Sequence, residues 1–317
     1  MKKKYWCLIA ALLIALIIIS AVVYLKLKNK TIEIPSENGT IEVYFCPKDN
    51  CEQQIIDRMN NASIIHCAFY DLDLVNVINA LNNTKLILDY DNKIDYLSAR
   101  YDNRQAYMHN KFCIFDNNKI MTGSTNPTIK GVTKNNNNLI FITSKYLAEN
   151  YEDEFDSMWN NNFGYDEEVK FPKIIFNNFT MENYFCPEDN CEQHIIETLQ
   201  SANESIYFMT FSFTSDKIGD LLLEKSKSIE IKGIFEKQQN SKWSQYNKLK
   251  EFSTFAETPG KMHHKVFIID KKIVITGSMN PSKNGNENND ENILIIHDEE
   301  VAELYLQEFY EILNNSL

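Results

Sequence analysis

Two stretches of this chain set histidine, lysine and asparagine at the same fixed intervals. The first reads Met108-His-Asn-Lys-Phe-Cys-Ile-Phe-Asp116, then Gly123-Ser-Thr-Asn126. The second reads Met262-His-His-Lys-Val-Phe-Ile-Ile-Asp270, then Gly277-Ser-Met-Asn280. Both satisfy His-x-Lys-x4-Asp-x6-Gly-Ser-x-Asn. Six fixed positions coincide about once in 10⁸ starting points under uniform residue usage, so two matches are not chance. A histidine and a lysine two apart on a strand face the same way, which pairs His109 with Lys111 and His263 with Lys265. One site built from both stretches holds two imidazoles, two ammonium groups and the amides of Asn126 and Asn280. That set suits phosphoryl transfer with no metal and no cofactor. One imidazole attacks phosphorus, the other protonates the leaving oxygen, and the lysines neutralise the non-bridging oxygens.

The remaining motif positions read as support. Asp116 and Asp270 end their strands, where Asp favours a turn through its own backbone hydrogen bonds. Gly123 and Gly277 let the backbone approach a phosphate, and Ser124 and Ser278 add neutral donors. No base is spaced to make either serine a nucleophile. His264 points away from His263 and Lys265 and reads as structural, and His66, His194 and His297 read as core histidines.

The chain around these motifs is itself repeated. Tyr44-Phe-Cys-Pro-Lys-Asp-Asn-Cys-Glu-Gln-Gln-Ile-Ile56 recurs as Tyr184-Phe-Cys-Pro-Glu-Asp-Asn-Cys-Glu-Gln-His-Ile-Ile196. Each copy reads as strand, turn and amphipathic helix. Strands follow over 63–70 and 205–212, helices over 72–81 and 216–224, and strands over 85–90 and 229–235. Each copy closes on an amphipathic helix, 144–159 or 299–313. Alternating strands and helices predict an α/β layer structure, and a duplicated unit packs about a pseudo-twofold axis where equivalent residues meet. The divisions are an N-terminal anchor (1–30), a first repeat (31–160) that begins with a polar tether over 31–40, a linker (161–180) and a second repeat (181–317).

Both motifs resemble the HKD motif of the phospholipase D superfamily. The region from about 41 to 317 is similar to the small Nuc-like and mitochondrial cardiolipin hydrolase (Zucchini-type) branch, with two copies fused in one chain. The resemblance implies two α/β/α repeats, a covalent phosphohistidine and no metal. It also implies a phosphodiester substrate, either phospholipid or nucleic acid, with phosphatidyl transfer as a third possibility. In such enzymes a downstream acidic residue orients the histidine. Glu291 stands 28 residues after His263, and the same offset from His109 falls on Asn137. The expectation is therefore that Glu291 serves His263 and Asn137 serves His109, with His109 as nucleophile.

Composition narrows the choice. Residues 5–25 are apolar without one charge, long enough as a helix to cross a bilayer, with a cleaved signal as the rival reading. Lysines 2, 3, 4, 26, 28 and 30 flank the run on both sides, so charge does not orient it. The net charge is −12, and those six lysines are the only charged groups before residue 31, so the remainder is six units more negative still. Such a body repels nucleic acid and anionic lipid alike, so an anionic substrate must be drawn in by a local basic pocket. The lack of a basic surplus tilts the choice towards phospholipid over a strand-tracking nuclease role. Two intact motifs argue against an inactive scaffold. Cys46 with Cys51, and Cys186 with Cys191, read as local disulfides, with free thiols or a shared four-cysteine zinc site as alternatives. Cys67 and Cys113 read as small buried hydrophobes. Disulfides and several Asn-x-Ser/Thr sequons favour a single-pass membrane protein whose monomeric catalytic body lies outside the cytoplasm.

Overall fold

The computed structural model describes residues 34–316 apart from 82, 83, 96 and 166. The expected anchor lies outside the described residues. Among them, no helix is long and apolar enough to cross a membrane. The first repeat runs β1 (Ser36–Glu37), β2 (Ile41–Cys46), α1 (Cys51–Asn60), β3 (Ile65–Phe69), α2 (Val75–Ala80), β4 (Thr84–Asp89), β5 (Arg100–Asp102), β6 (Lys111–Phe115), β7 (Lys119–Gly123), α3 (Ile129–Thr133), β8 (Asn137–Thr143) and α4 (Lys145–Trp159). The second runs β9 (Lys173–Phe176), β10 (Phe179–Cys186), α5 (Cys191–Gln200), β11 (Ser205–Thr210), α6 (Asp216–Lys225), β12 (Glu230–Phe235), α7 (Tyr246–Leu249), β13 (Ser253–Phe255), β14 (Lys265–Ile269), β15 (Ile273–Gly277), α8 (Lys283–Glu287), β16 (Glu291–Ile296) and α9 (Glu299–Asn315).

Two sheets result, ordered β2-β8-β7-β6-β3-β4-β5 and β1-β9-β10-β16-β15-β14-β11-β12-β13. From β2 and from β10 onward the two orders are the same, as duplication requires. The motif strands are apolar at every position after the lysine because both of their faces are covered. Phe112 and Ile114, with Val266 and Ile268, enter one central core that also takes the apolar stripes of α4 and α9. Cys113 and Phe115 face an outer core under α1 and α2, and Phe267 and Ile269 face another under α5 and α6. The two long helices start where Ser144 and Asp298 accept from the backbone N–H groups of Leu147 (3.0 Å) and Val301 (2.8 Å), each three residues on. Helix α4 stops at Asn160, followed by Asn161 in a left-handed conformation.

The tether and linker readings need correction. Residues 36–37 form an edge strand, and β1 pairs in parallel with β9 in the second repeat's sheet. Glu37 accepts from Ser144 Oγ and from Lys145 N (2.9 Å), placing a carboxylate at the positive end of α4. The C-terminal end of the 161–180 segment likewise forms β9 and the start of β10, an antiparallel hairpin beside β1. An apolar run such as Lys173-Ile-Ile-Phe176 next to a turn had the composition of a strand.

The histidines outside the motifs also differ from expectation. His66 and His297 are half-buried and bonded to carboxylates, Glu152 at 2.7 Å and Glu182 at 3.0 Å. His194 stacks on Tyr184, with ring centroids 3.5 Å apart.

Cys46–Cys51 and Cys186–Cys191 are disulfide-bonded. A third disulfide joins Cys67 to Cys113, against the reading of both as free hydrophobes. They sit directly opposite on antiparallel β3 and β6, with Cα atoms 4.1 Å apart, and only strand register brings them together. The two short bridges span 5 residues and the third spans 46. Loop-closure entropy then assigns about 2 kcal/mol to each short bridge and about 4 kcal/mol to the long one. Urea unfolding of Cys67→Ala/Cys113→Ala beside Cys186→Ala/Cys191→Ala should show the larger loss in the first pair, and the reverse order would refute this.

Candidate active site

His109 and His263 stand two residues before β6 and β14, and each is held by the opposite repeat. His109 N donates to Asp290 O and His263 N donates to Asn136 O, both at 2.9 Å. In return, Asp290 N and Asn136 N donate to Tyr107 O and Lys261 O at the same distance. The residue after each of these anchors opens a strand of the other repeat's sheet. Glu291 therefore lies beside His109, with Oε2 2.8 Å from Nδ1, and Asn137 lies beside His263, with Oδ1 2.8 Å from Nδ1. This overturns the expected pairing, which kept each orienting residue within its own repeat. The parallel bridges at Met108–Asp290 and Asn136–Met262 carry each orienting residue across the pseudo-twofold axis.

The serines and glycines also serve differently from the expectation. Ser278 Oγ donates to Glu291 Oε2 (2.7 Å), and Ser124 Oγ donates to Asn137 Oδ1 (2.9 Å). Each serine also accepts from a strand N–H, of Asn292 or Asn138, at 3.0 Å. They fix the orienting residues. Asn137 Nδ2 donates to Gly131 O (2.9 Å), so its oxygen is the end that faces His263. Gly123 and Gly277 have φ near +132° and +137°, and a Cβ on either would stand 2.5 or 2.3 Å from a carbonyl oxygen of β8 or β16. Strand packing makes them glycine. Asp116 and Asp270 sit at the far ends of the motif strands, themselves left-handed. Asp116 accepts from the N–H groups of Ser63 and Ile64, and Asp270 from those of Asn203, Glu204 and Ser205.

The lysines complete each half. Lys111 Nζ donates to His109 O (2.6 Å) and Lys265 Nζ to His263 O (2.7 Å), with Lys265 Nζ also 3.2 Å from His263 Nε2. Asn126 and Asn280 each bury Oδ1 without a hydrogen-bond partner, at equivalent places in the two halves. His264 lies on the opposite side, against Glu308 (3.3 Å) and Asn138 (3.2 Å). Its counterpart Asn110 accepts from Asn292 Nδ2 (2.7 Å), so these two positions tie the repeats together behind the site.

Burial pushes the whole cluster towards neutrality. It holds both imidazoles well below the ordinary histidine range, with Lys111 and Lys265 adding to the effect, and His109 adds further to His263. It lowers Lys111 to about 7 and raises Glu291 to about 8, with the two partly compensating one another. A bound anion reverses the lysine contribution and draws protons back to the site. Among the described residues, no group of three or more His, Cys, Asp or Glu side chains is disposed to hold a metal ion.

Four contributors escaped the sequence reading. Tyr70 and Phe211 follow β3 and β11, and their rings lie 4.8 and 4.5 Å from those of His109 and His263. Lys111 Nζ and Lys265 Nζ each lie 5.2 Å from the same aromatic centroids. Asp89 and Glu236, at the ends of β4 and β12, accept from Met108 N (3.0 Å) and Met262 N (2.8 Å). Their matching places in the two copies were the signal, visible once the repeats are aligned past the cysteine phrase.

This geometry defines a two-repeat site with one histidine and one lysine from each half. The chain belongs to the family described as "Cardiolipin synthase, PLD-like domain", which matches residues 37–159 and 195–313. It is 34% identical over 131 residues to a phospholipase D of Rickettsia typhi, covering 40% of this chain and 64% of that one. Against human mitochondrial cardiolipin hydrolase it is 31% identical over 123 residues, covering 37% of this chain and 49% of the relative. The match thus spans less than two thirds of either relative's length. Among solved structures, the phosphatidylserine synthase of Haemophilus influenzae shares the fold at a TM-score of 0.64 and 11% identity, with 86% of each chain covered.

Proposed function

We propose that this chain is a phosphodiesterase of the phospholipase D type that hydrolyses phospholipid head groups through a phosphohistidine. The observation that carries the reading is the crossed pair of half-sites. Each has a buried imidazole whose Nδ1 is held by a residue of the other repeat, and each has a buried lysine beside it. In the attacking, neutral imidazole Nδ1–H donates to its oxygen partner and leaves the Nε2 lone pair free, whereas the other imidazole takes up a proton on Nε2 when the anionic diester binds. One ring attacks phosphorus, the other protonates the leaving oxygen and then takes a proton from water, and the lysines neutralise the oxygens in between. The acidic body favours a lipid diester over a nucleic acid strand, and the N-terminal apolar segment would hold the site near a membrane. Three disulfides suit an oxidising compartment for the catalytic body.

The test is an assay of the full chain in mixed micelles. Phosphatidic acid should form faster than single-stranded DNA or RNA is cut at physiological salt, excess EDTA should leave the rate nearly unchanged, and Lys111→Ala or Lys265→Ala should remove most of it. Loss with EDTA and rescue by a divalent ion would remove the two-lysine mechanism. Faster cutting of nucleic acid would replace the lipid reading with a nuclease one.

A further inference from the structure

The pseudo-twofold axis offers an internal control, because each wall position of the site occurs twice in the same backbone setting. Three of these positions differ in chemistry. Tyr70 on the His109 side corresponds to Phe211 on the His263 side, and the next residues are Asp71 and Ser212. The third pair is Tyr107 and Lys261, which precede the two motifs and make the same cross-repeat backbone bond. Asp71 is half-buried and its charge acts on Lys111, so a second anion is less favoured on the His109 wall than on the His263 wall. No carboxylate occupies the corresponding place beside His263.

Lys261 is exposed, and its backbone is fixed on both sides. Its carbonyl accepts from Asn136 N and its N–H donates to Asn135 Oδ1 (3.0 Å). Its ammonium lies 5.6 Å from the Phe211 centroid, and that ring in turn packs on His263. Among the described residues Lys261 has no ion-pair partner, whereas Lys217 and Lys283, also in the second repeat, are paired with Glu192 and Glu287. The nearby Glu236 is committed to the N–H groups of Met262 and Gln238.

We infer that Lys261 forms a subsite for a second phosphate, carried by the leaving alcohol of the phospholipid. The inference rests on the proposed function, with His109 attacking. In-line displacement forms the His109 Nε2–P bond as the P–O bond to the alcohol breaks, and the alcohol oxygen takes the proton of His263. The leaving group therefore departs along the Phe211 wall, and a phosphate one glycerol unit further out meets Lys261. A cationic leaving group meets repulsion at the same place.

The test compares three lipids with the same diacylglycerol: phosphatidylglycerophosphate, phosphatidylglycerol and phosphatidylcholine. The full chain in neutral detergent micelles should prefer the first to the second in kcat/KM. Lys261→Ala should lower that ratio about tenfold and Lys261→Glu should lower it further, while Lys261→Arg keeps it. The exchange Lys261→Tyr/Tyr107→Lys, which moves the cation to the His109 side, should not restore it. An unchanged ratio in Lys261→Ala and Lys261→Glu, or restoration by the exchange, overturns the subsite and leaves the phosphodiesterase reading intact. If the unmodified protein forms no phosphatidic acid from any of the three, the inference and the reading beneath it both fall.

Discussion

Quenching the protein during turnover of a slow diester should leave acid-labile phosphate on the peptide that contains His109. Phosphorylation at Nε2 turns the imidazole into a cation that keeps its proton on Nδ1, and a carboxylate stabilises that cation more than an amide does. Glu291 Oε2 stands 2.8 Å from His109 Nδ1, whereas His263 has only the Asn137 carbonyl oxygen at the same distance. A protonated His263 is the stronger acid for the same reason, which suits it to the leaving oxygen. His109→Asn should give no label and lose about 10⁴-fold or more in kcat. His263→Asn should still label from a substrate whose leaving group needs no proton. Label on His263 in the unmodified protein would exchange the two roles and keep the mechanism class.

The second large effect is expected at Glu291. Glu291→Gln keeps an oxygen to accept from Nδ1 and from Ser278 but cannot ionise, so folding is preserved while the phosphohistidine cation, which would draw Glu291 to its anionic form, loses its counter-charge. A fall of about 10²–10³ in kcat follows from the size of such electrostatic contributions. Asn137→Asp is the informative partner. It gives His263 a carboxylate, raises its pKa and makes it a weaker acid. Turnover should fall about tenfold for poor leaving groups and stay nearly constant for good ones. Single-turnover rates with a matched pair of leaving groups separate these cases. A mild Glu291→Gln beside a severe, leaving-group-independent Asn137→Asp would place the nucleophile at His263.

The duplicated cysteine phrase and the two motifs revealed the internal repeat, because duplication preserves spacing. Alternating strands and helices foretold α/β layers, and the motif spacing foretold that each histidine and its lysine would share one half-site. From spacing, an Asn137 partner points to His109 as nucleophile; in the structure it is the Glu291 carboxylate beside His109 that supports the same proposal. Contacts between segments far apart in the chain are legible only in the fold. The exchange of Glu291 and Asn137 depends on bridges between residues 182 and 126 positions apart, which offset counting within one repeat cannot see. The Cys67–Cys113 bond depends on the register of β3 against β6, and the β1–β9 edge on a strand that pairs outside its own repeat. Spacing along a chain specifies which residues share a face. Which face meets which is decided by burial of both sheets against the central helices, and that packing is what joins two half-sites into one.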